Sequence, residues 1–391
     1  MHNELEFWES GHILGIVAND IFGIIHANMA RLPARSRRIH PGDDLGVRGS
    51  CDCAQDGGVV ALCNLRPNHP MRISVLAFDG LFDTGLAVTL DPLRTANNLA
   101  AALGIAGPRF DVDVVGVRRR VRTANGMTVP VKPIAPAPQP DWVIVPALGA
   151  TTPATLVPAL ARADVRDGIA QIRRWHDAGV KIAAACIGTF VLAEAGLLDG
   201  GEATTTWSLS PLFRQRYPQV HLDESRMLVP SAAGITAGAA LGHMDLALWL
   251  IRQSSPELAA LVSRYLLADL RSSQAAYIVP NHLAQADPLV ARFERWSREH
   301  LRAGFSLGDA ASALATSPRT LQRRCEAVLG KSPLAYFQDL RVERARALLQ
   351  AGDSDVEAVA AEVGYADGAT LRTLLRRRLG RGVRELRDDL R

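Results

Sequence analysis

Hydrophobic and polar positions divide the chain into three stretches of different pattern. Residues 1–70 show neither sustained alternation nor helical spacing, and Arg31–Gly49 is crowded with Arg, Pro, Gly and Asp. From Arg72, apolar runs of strand length alternate with amphipathic stretches of helix length. RISVLAFD reads as a strand, Leu86–Leu103 as a helix, and FDVDVVGVR and MTVPVKPI as strands with Asn125-Gly126 as the turn between them. DWVIVPALG is a further strand, Val165–Ala178 a helix closed by Gly179, and VKIAAAC a strand that runs into a helix. Continuous apolar strands separated by helices predict a parallel sheet covered by helices on both faces. Beyond residue 253 the period is helical throughout. The pattern therefore predicts an α/β domain over 71–252, a helical linker over 253–303 and an all-α domain over 304–391.

The last stretch contains two helix-turn-helix units in tandem. The first is Ser306–Gly330. Ser317 is a strong N-cap and Pro318 suits the first helical position, so a helix begins there. Leu321, Cys325 and Val328 recur at i, i+4 and i+7 as its buried face. Arg319, Gln322, Arg323 and Glu326 then lie on the opposite face, where two arginines and a glutamine offer the donors that read guanine and adenine edges. Ser332-Pro333 opens a connecting helix with apolar positions at Leu340, Ala345, Leu348 and Leu349, ended by Gly352. Asp353-Ser354 starts the second unit, Gly364 makes its turn, Asp367 caps its last helix and Gly380 stops it. There the outward positions are Ala369, Thr370 and Thr373, with Arg372, Arg376, Arg377 and Arg378 better suited to phosphates. From Leu301 onward sixteen Arg/Lys face twelve Asp/Glu. The excess is modest, and its clustering at 319–324 and 372–387 says more than its size.

These residues resemble the AraC/XylS DNA-binding domain. The match is carried by SPRTLQRR (317–324), Gly330, Pro333, LRVERARALL (340–349), VEAVAAEVGY (356–365), Arg372 and Gly380. Cys325, Leu371 and Leu375 replace aromatics usual in the family, Thr373 a frequent arginine and Val383 a proline. The resemblance implies sequence-specific binding of a double-stranded operator through Ser317, Arg319, Thr320, Gln322, Arg323, Thr370, Arg372, Thr373, Arg376 and Arg377.

In the α/β stretch the chemical focus is Ala184-Ala185-Cys186-Ile187-Gly188. A strand of small residues runs into a turn flanked by small neighbours, then a helix, which is nucleophile-elbow geometry with cysteine in place of serine. The helix N-terminus is expected to depress the thiol pKa; an inert structural cysteine is the plainer alternative. LAFDGLFDTG, ACIGTFVLAEAGLLDG, ATTTW (203–207) and GITAGAALGHMDLAL (234–248) resemble the PfpI and isonitrile-hydratase group of the class I glutamine-amidotransferase-like fold. In that group the first βα loop carries an acidic residue, here Asp83. Catalytic relatives have histidine after the cysteine and before the tryptophan, where this chain has Ile187 and Thr206. The resemblance implies a ligand pocket formed by Asp83, Cys186, Ile187 and Thr206, without catalytic residues. Joined to an AraC-type reader, such a domain senses a small nitrogenous metabolite. The rival readings are a cysteine hydrolase or hydratase with a DNA-binding tail, and an architectural DNA-binding protein.

Composition narrows the setting. Hydrophobic residues make up 48% and charged residues 21%, with a net charge of +4, ordinary for a soluble chain of two or three domains. ILGIVANDIFGII is broken by Asp20, and LGHMDLALWLI by His243 and Asp245, so no membrane span is expected. Glu4, Glu6 and Glu9 stand where a signal peptide would be basic. Five scattered cysteines argue for a reducing cytoplasm. Cys51, Cys53 and Cys63 lack a fourth ligand, so no metal is expected, and no cofactor. The expected partners are operator DNA, a small-molecule effector and RNA polymerase, with a homodimer as the assembly. Because the patterned domain starts at the strand after Met71, deletion of residues 1–70 should leave melting temperature and DNA binding nearly unchanged. Loss of either on truncation would contradict this.

Overall fold

The computed structural model describes residues 70–391 except 106, 108, 135–138, 352–354, 381 and 389–391. The expectations for the N-terminal extension, for Cys51, Cys53 and Cys63, and for Gly352 and Asp353-Ser354 lie outside the described residues. Each apolar run becomes a strand because both of its faces are buried. The elements are β1 (Met71–Leu76), α1 (Asp83–Leu103), β2 (Phe110–Gly116), a hairpin of β3 (Arg120–Arg122) and β4 (Thr128–Pro130), β5 (Lys132–Pro133) and β6 (Trp142–Val145). There follow α2 (Pro153–Leu160), α3 (Ala163–Asp177), β7 (Lys181–Ala185), α4 (Gly188–Glu194), β8 (Glu202–Ala203), α5 (Ser210–Arg216), β9 (His221–Leu222), β10 (Leu228–Ser231), β11 (Gly234–Ala237) and α6 (Gly242–Ser254). The main sheet has the order β10-β11-β7-β6-β1-β2-β5. It is parallel except for the edge pair β10–β11.

The side-chain alternation of the strands is clean. Leu76, Val143, Val145, Ile182 and Ala184 face α2 to α5. Ile73, Val75, Ile144, Ala183 and Ala185 face α1 and α6. This is the predicted sheet with helices on both faces. Two details differ from the sequence reading. MTVPVKPI is divided: Thr128–Pro130 pairs with Arg120–Arg122, so Asn125-Gly126 turns inside that hairpin rather than after β2. Lys132–Pro133 instead extends the main sheet beside β2. The pair β10–β11 has no long apolar run to announce it.

Beyond the sheet, α7 (Pro256–Leu266) buries Leu258, Ala259 and Val262 in the core shared by α1 and α6. The next helices, α8 (Pro280–Ala284) and α9 (Pro288–Glu299), bury Leu283, Ala284, Val290 and Phe293 with the first helix-turn-helix unit. That unit is α10 (Leu307–Ala313) and α11 (Pro318–Leu329). Its buried stripe is Leu321, Cys325 and Leu329. Val328, expected there, is only partly buried, because the stripe continues at i+8 rather than i+7.

The connecting helix α12 (Pro333–Ala351) belongs to both units. Tyr336, Phe337 and Leu340 enter the first core; Val342, Ala345 and Leu349 enter the second, with α13 (Val356–Glu362), α14 (Gly368–Leu379) and α15 (Val383–Asp388). At the junction sits Arg341. Its Nε and one terminal nitrogen donate to the Leu301 carbonyl at 3.1 and 2.8 Å, and its guanidinium lies 4.9 Å from the Phe337 ring and 5.0 Å from the Tyr365 ring. A buried cation held this way fixes the two units relative to each other. Arg341→Met should cost about 2–4 kcal/mol, from two charge-assisted bonds and two ring contacts. The check is a lower denaturant midpoint together with faster amide exchange in α13 and α14.

Candidate functional site

The elbow is built at the carboxyl ends of the central strands. Cys186 follows β7 with φ of 55°, one of the few non-glycine residues in the left-handed region among the described residues. Such strain persists only where neighbours impose it. Here the Cys186 N–H donates to Ala237 O at 2.8 Å, and Cys186 O accepts the Thr205 hydroxyl at 2.7 Å. Two residues on, a Cβ at Gly188 would overlap the Val145 carbonyl, so α4 can approach β6 only through a glycine.

Three of the expected pocket residues come together. Cys186, Ile187 and Thr206 are all buried, and the Thr206 hydroxyl, 3.2 Å from Ser208 Oγ, acts on the thiol to favour its ionised form. Asp83 opens α1 and bonds elsewhere: its Oδ2 accepts the Asn125 N–H at 3.1 Å. Burial works to raise its pKa, but the Thr123 hydroxyl and the Asn125 amide outweigh it and hold the carboxyl below its ordinary value. Among the described residues Asp83 makes no hydrogen bond with Cys186, Ile187 or Thr206.

The thiol corrects one expectation. Burial pushes its pKa up to about 11, against the smaller opposing effects of the Ile187 backbone and the Thr206 hydroxyl. The short helix α4 does not offset that desolvation. Thiolate chemistry would also need a base. His243, which the sequence reading noted only as an interruption of an apolar run, is fully buried. Its Nδ1 is 2.7 Å from Ala240 O, and its Nε2 accepts the Ala147 N–H at 3.1 Å. Burial drops its pKa to about 4. Both ring nitrogens are occupied, so this imidazole takes no proton from a thiol.

Two further residues had no local signal. Gln274 is completely buried, and its Nε2 donates to Thr205 O at 2.9 Å. Its Oε1 is buried without a partner. Arg214, in a buried ion pair with Glu224, lies against Gly330 at the end of α11.

In the helical region both units use the same cap. Ser317 Oγ accepts the Thr320 N–H at 3.1 Å, and Asp367 Oδ1 accepts the Thr370 N–H at 2.7 Å. Gly330 and Gly380 end α11 and α14 in the left-handed conformation. On α11, Arg319 and Arg323 are exposed, while Gln322 is half-buried and donates to Glu326. Arg324 is turned aside into an ion pair with Asp287, the N-cap of α9. On α14, Arg376 and Arg377 are exposed, Arg372 is 3.9 Å from Glu357, and Arg378 pairs with Asp339 at 3.2 Å. The Thr373 hydroxyl donates to Ala369 O at 3.0 Å. Two capped helices with outward arginines form the apparatus of a nucleic-acid reader.

Family models match both halves: the DJ-1/PfpI family over residues 71–253 and a helix-turn-helix domain over 310–389. The HTH-type transcriptional regulator GbdR of Pseudomonas aeruginosa is 26% identical over 302 residues, 76% of this chain and 78% of the relative. The HTH-type transcriptional regulator CdhR of the same species is 28% identical over 302 residues, 74% of this chain and 83% of the relative. The chain is an AraC-type regulator with a DJ-1/PfpI domain. An AraC family transcriptional regulator from Pseudomonas putida, a crystal structure, matches at 21% identity and a TM-score of 0.42, over 50% of this chain and all of that one. Among the described residues of the regulator no helix is long and apolar enough to cross a membrane.

The thiol supplies a direct check of this geometry. At pH 8 a group with a pKa near 11 is thiolate in about one molecule in a thousand. Iodoacetamide modification of Cys186 should therefore still rise about tenfold per pH unit between pH 8 and 10, where an ordinary thiol near 8.5 levels off. Thr206→Val, which removes the hydroxyl that favours the thiolate, should slow the reaction at fixed pH. A plateau below pH 9 would contradict the burial argument.

Proposed function

We propose that this DNA-binding transcription regulator is switched by a small nitrogenous metabolite held at the elbow, and that the elbow binds without turning over. The observation that carries this is the pairing of two capped reading helices with an elbow whose thiol is protonated, in a domain whose buried His243 imidazole is engaged at both nitrogens. Asp83, Cys186, Ile187 and Thr206 line the pocket in this reading, with residues 71–252 as sensor and 304–391 as reader. Asp83, anionic at neutral pH, suits a cationic nitrogen. A ligand at the ends of parallel strands also follows the general habit of open α/β sheets. The regulator acts in the cytoplasm on a double-stranded operator, as a homodimer and in contact with RNA polymerase.

Within the reader the units divide the work. Arg319, Gln322 and Arg323 read bases, each bidentate contact contributing roughly 1–3 kcal/mol of discrimination. Ser317 and Thr320 hold the start of α11 against the backbone. Thr370 and Thr373 make small contacts, and Arg372, Arg376 and Arg377 position α14 on phosphates. The test begins with operators selected from a randomised duplex pool and measures a single-base panel at two salt concentrations. Arg323→Ala should relax base preference at particular positions of one half-site. Arg376→Ala and Arg377→Ala should weaken binding to all sequences and flatten its salt dependence. The reverse pattern would overturn the assignment. For the pocket, Asp83→Asn should retain operator binding yet lose the effector response.

A further inference from the structure

Behind the elbow run three consecutive buried threonines, Thr204, Thr205 and Thr206. Thr204 N–H donates to the Thr236 hydroxyl at 2.9 Å, and its own hydroxyl donates to Arg226 O at 2.9 Å. Thr205 holds the Cys186 carbonyl, and the Thr206 hydroxyl lies 3.2 Å from Ser208 Oγ at the start of the segment that leaves for the reader. The triplet is thus tied to strand β11 on one side and to the elbow on the other.

Two arms leave this triplet for the reader. The first is the chain itself. Trp207 packs against the core of the first helix-turn-helix unit and meets the His282 ring edge-on at 5.5 Å. Ser208 O lies 3.2 Å from His282 Nε2. The helix that follows, α5, packs on the reading helix α11. There the Arg214 guanidinium occupies the space that a side chain at Gly330 would need. Gly330 continues the stripe of Arg319, Arg323 and Glu326 by helical spacing, so the sensor touches the carboxyl end of the base-reading face.

The second arm starts at Gln274. Its side-chain amide donates to Thr205 O at 2.9 Å and to Thr204 Oγ1 and Arg226 O at 3.3 Å each. It is wedged so closely over Gly238 that a Cβ there would overlap it. The next three residues, Ala275–Tyr277, form a 3-10 turn that packs on the other reading helix, α14.

We propose that Thr204–Thr206 is the coupling element of this regulator, linking the pocket to α11 through Trp207 and α5, and to α14 through Gln274. The inference rests on the reading of the chain as an effector-responsive regulator. A ligand that displaces Thr205 or Thr206 at the elbow shifts a segment in which each buried hydroxyl that loses its partner costs free energy. Because both arms leave from the same three residues, both reading helices move together. The seating of the paired units on DNA then follows the state of the pocket.

Coupling between two sites is reciprocal, so it can be read without the effector. The probe is a mixed-sequence DNA duplex spanning two major grooves, and the readout is the iodoacetamide rate at Cys186 in the full-length protein, isolated by peptide mass mapping. Saturating duplex should change that rate by about fivefold or more, the low end of site-to-site couplings. Gln274→Met, which keeps the volume and loses the amide bonds, should still bind the duplex while the effect of DNA on Cys186 falls to about twofold or less. Trp207→Ala should do the same from the other arm; if it fails to fold, Gln274→Met alone decides. A Cys186 rate indifferent to bound DNA, or an undiminished effect in Gln274→Met, overturns the coupling and leaves the regulator reading intact. Failure of the wild-type chain to bind duplex at all would instead overturn the regulator reading.

Discussion

A hydroxyl buried away from water costs free energy unless it finds a partner, and in this molecule three in a row find theirs in different directions. Thr204 reaches the loop before β10, Thr205 reaches the elbow carbonyl, and Thr206 reaches Ser208. Apolar residues of similar size would fill the same space and leave those groups to relax independently. The hydroxyls make the strand end, the elbow and the incoming Gln274 one hydrogen-bonded body, in surroundings where each unmade bond costs about 1–3 kcal/mol. The left-handed backbone at Cys186 persists because it is bonded from both sides within that body.

The same burial decides what the elbow can do chemically. In a working cysteine hydrolase the thiol is pulled down and the base kept near neutrality, so that they trade a proton easily. Here desolvation drives Cys186 up and His243 down. The imidazole is also spent on holding the Ala147 amide and the Ala240 carbonyl. A group with both ends occupied is part of the scaffold. An elbow of this kind retains the shape of a reactive centre while its charges are arranged for holding a ligand.

Much of the architecture was legible because it is written in short-range pattern. β1, β6 and β7 are continuous apolar runs, which only a strand buried on both faces requires. Ser317-Pro318 and Asp367 announce their helices by cap chemistry alone. What escaped the sequence was what depends on distant neighbours or on very short elements. A three-residue strand such as Arg120–Arg122 has too few positions to display a period. The exchange of Val328 for Leu329 is one step of helical drift, visible only once α11 is seated. The thiol pKa was misread because a helix N-terminus is a local feature and desolvation is a tertiary one. Of the pocket residues, Cys186, Ile187 and Thr206 converge as expected, whereas Asp83 is held by the hairpin loop. Arg214 and Gln274 act across large sequence separations and carry no local signature, and Trp207 stands in the ATTTW motif without announcing its contact with the reader.

Gly330 carries a constraint that reaches beyond this one chain. As a helix terminator it needs only a residue at ease in the left-handed region, a requirement asparagine meets often enough elsewhere. Here a side chain would also meet the Arg214 guanidinium, which would have to shift away from its place beside Glu224. The reader is therefore not a freely exchangeable module. A helix-turn-helix domain taken from another regulator would leave the Arg214–Glu224 pair undisturbed behind this sensor only if the helix end that meets Arg214 is bare. Domain shuffling, natural or engineered, keeps this contact when α5 and the end of α11 travel together as a matched pair.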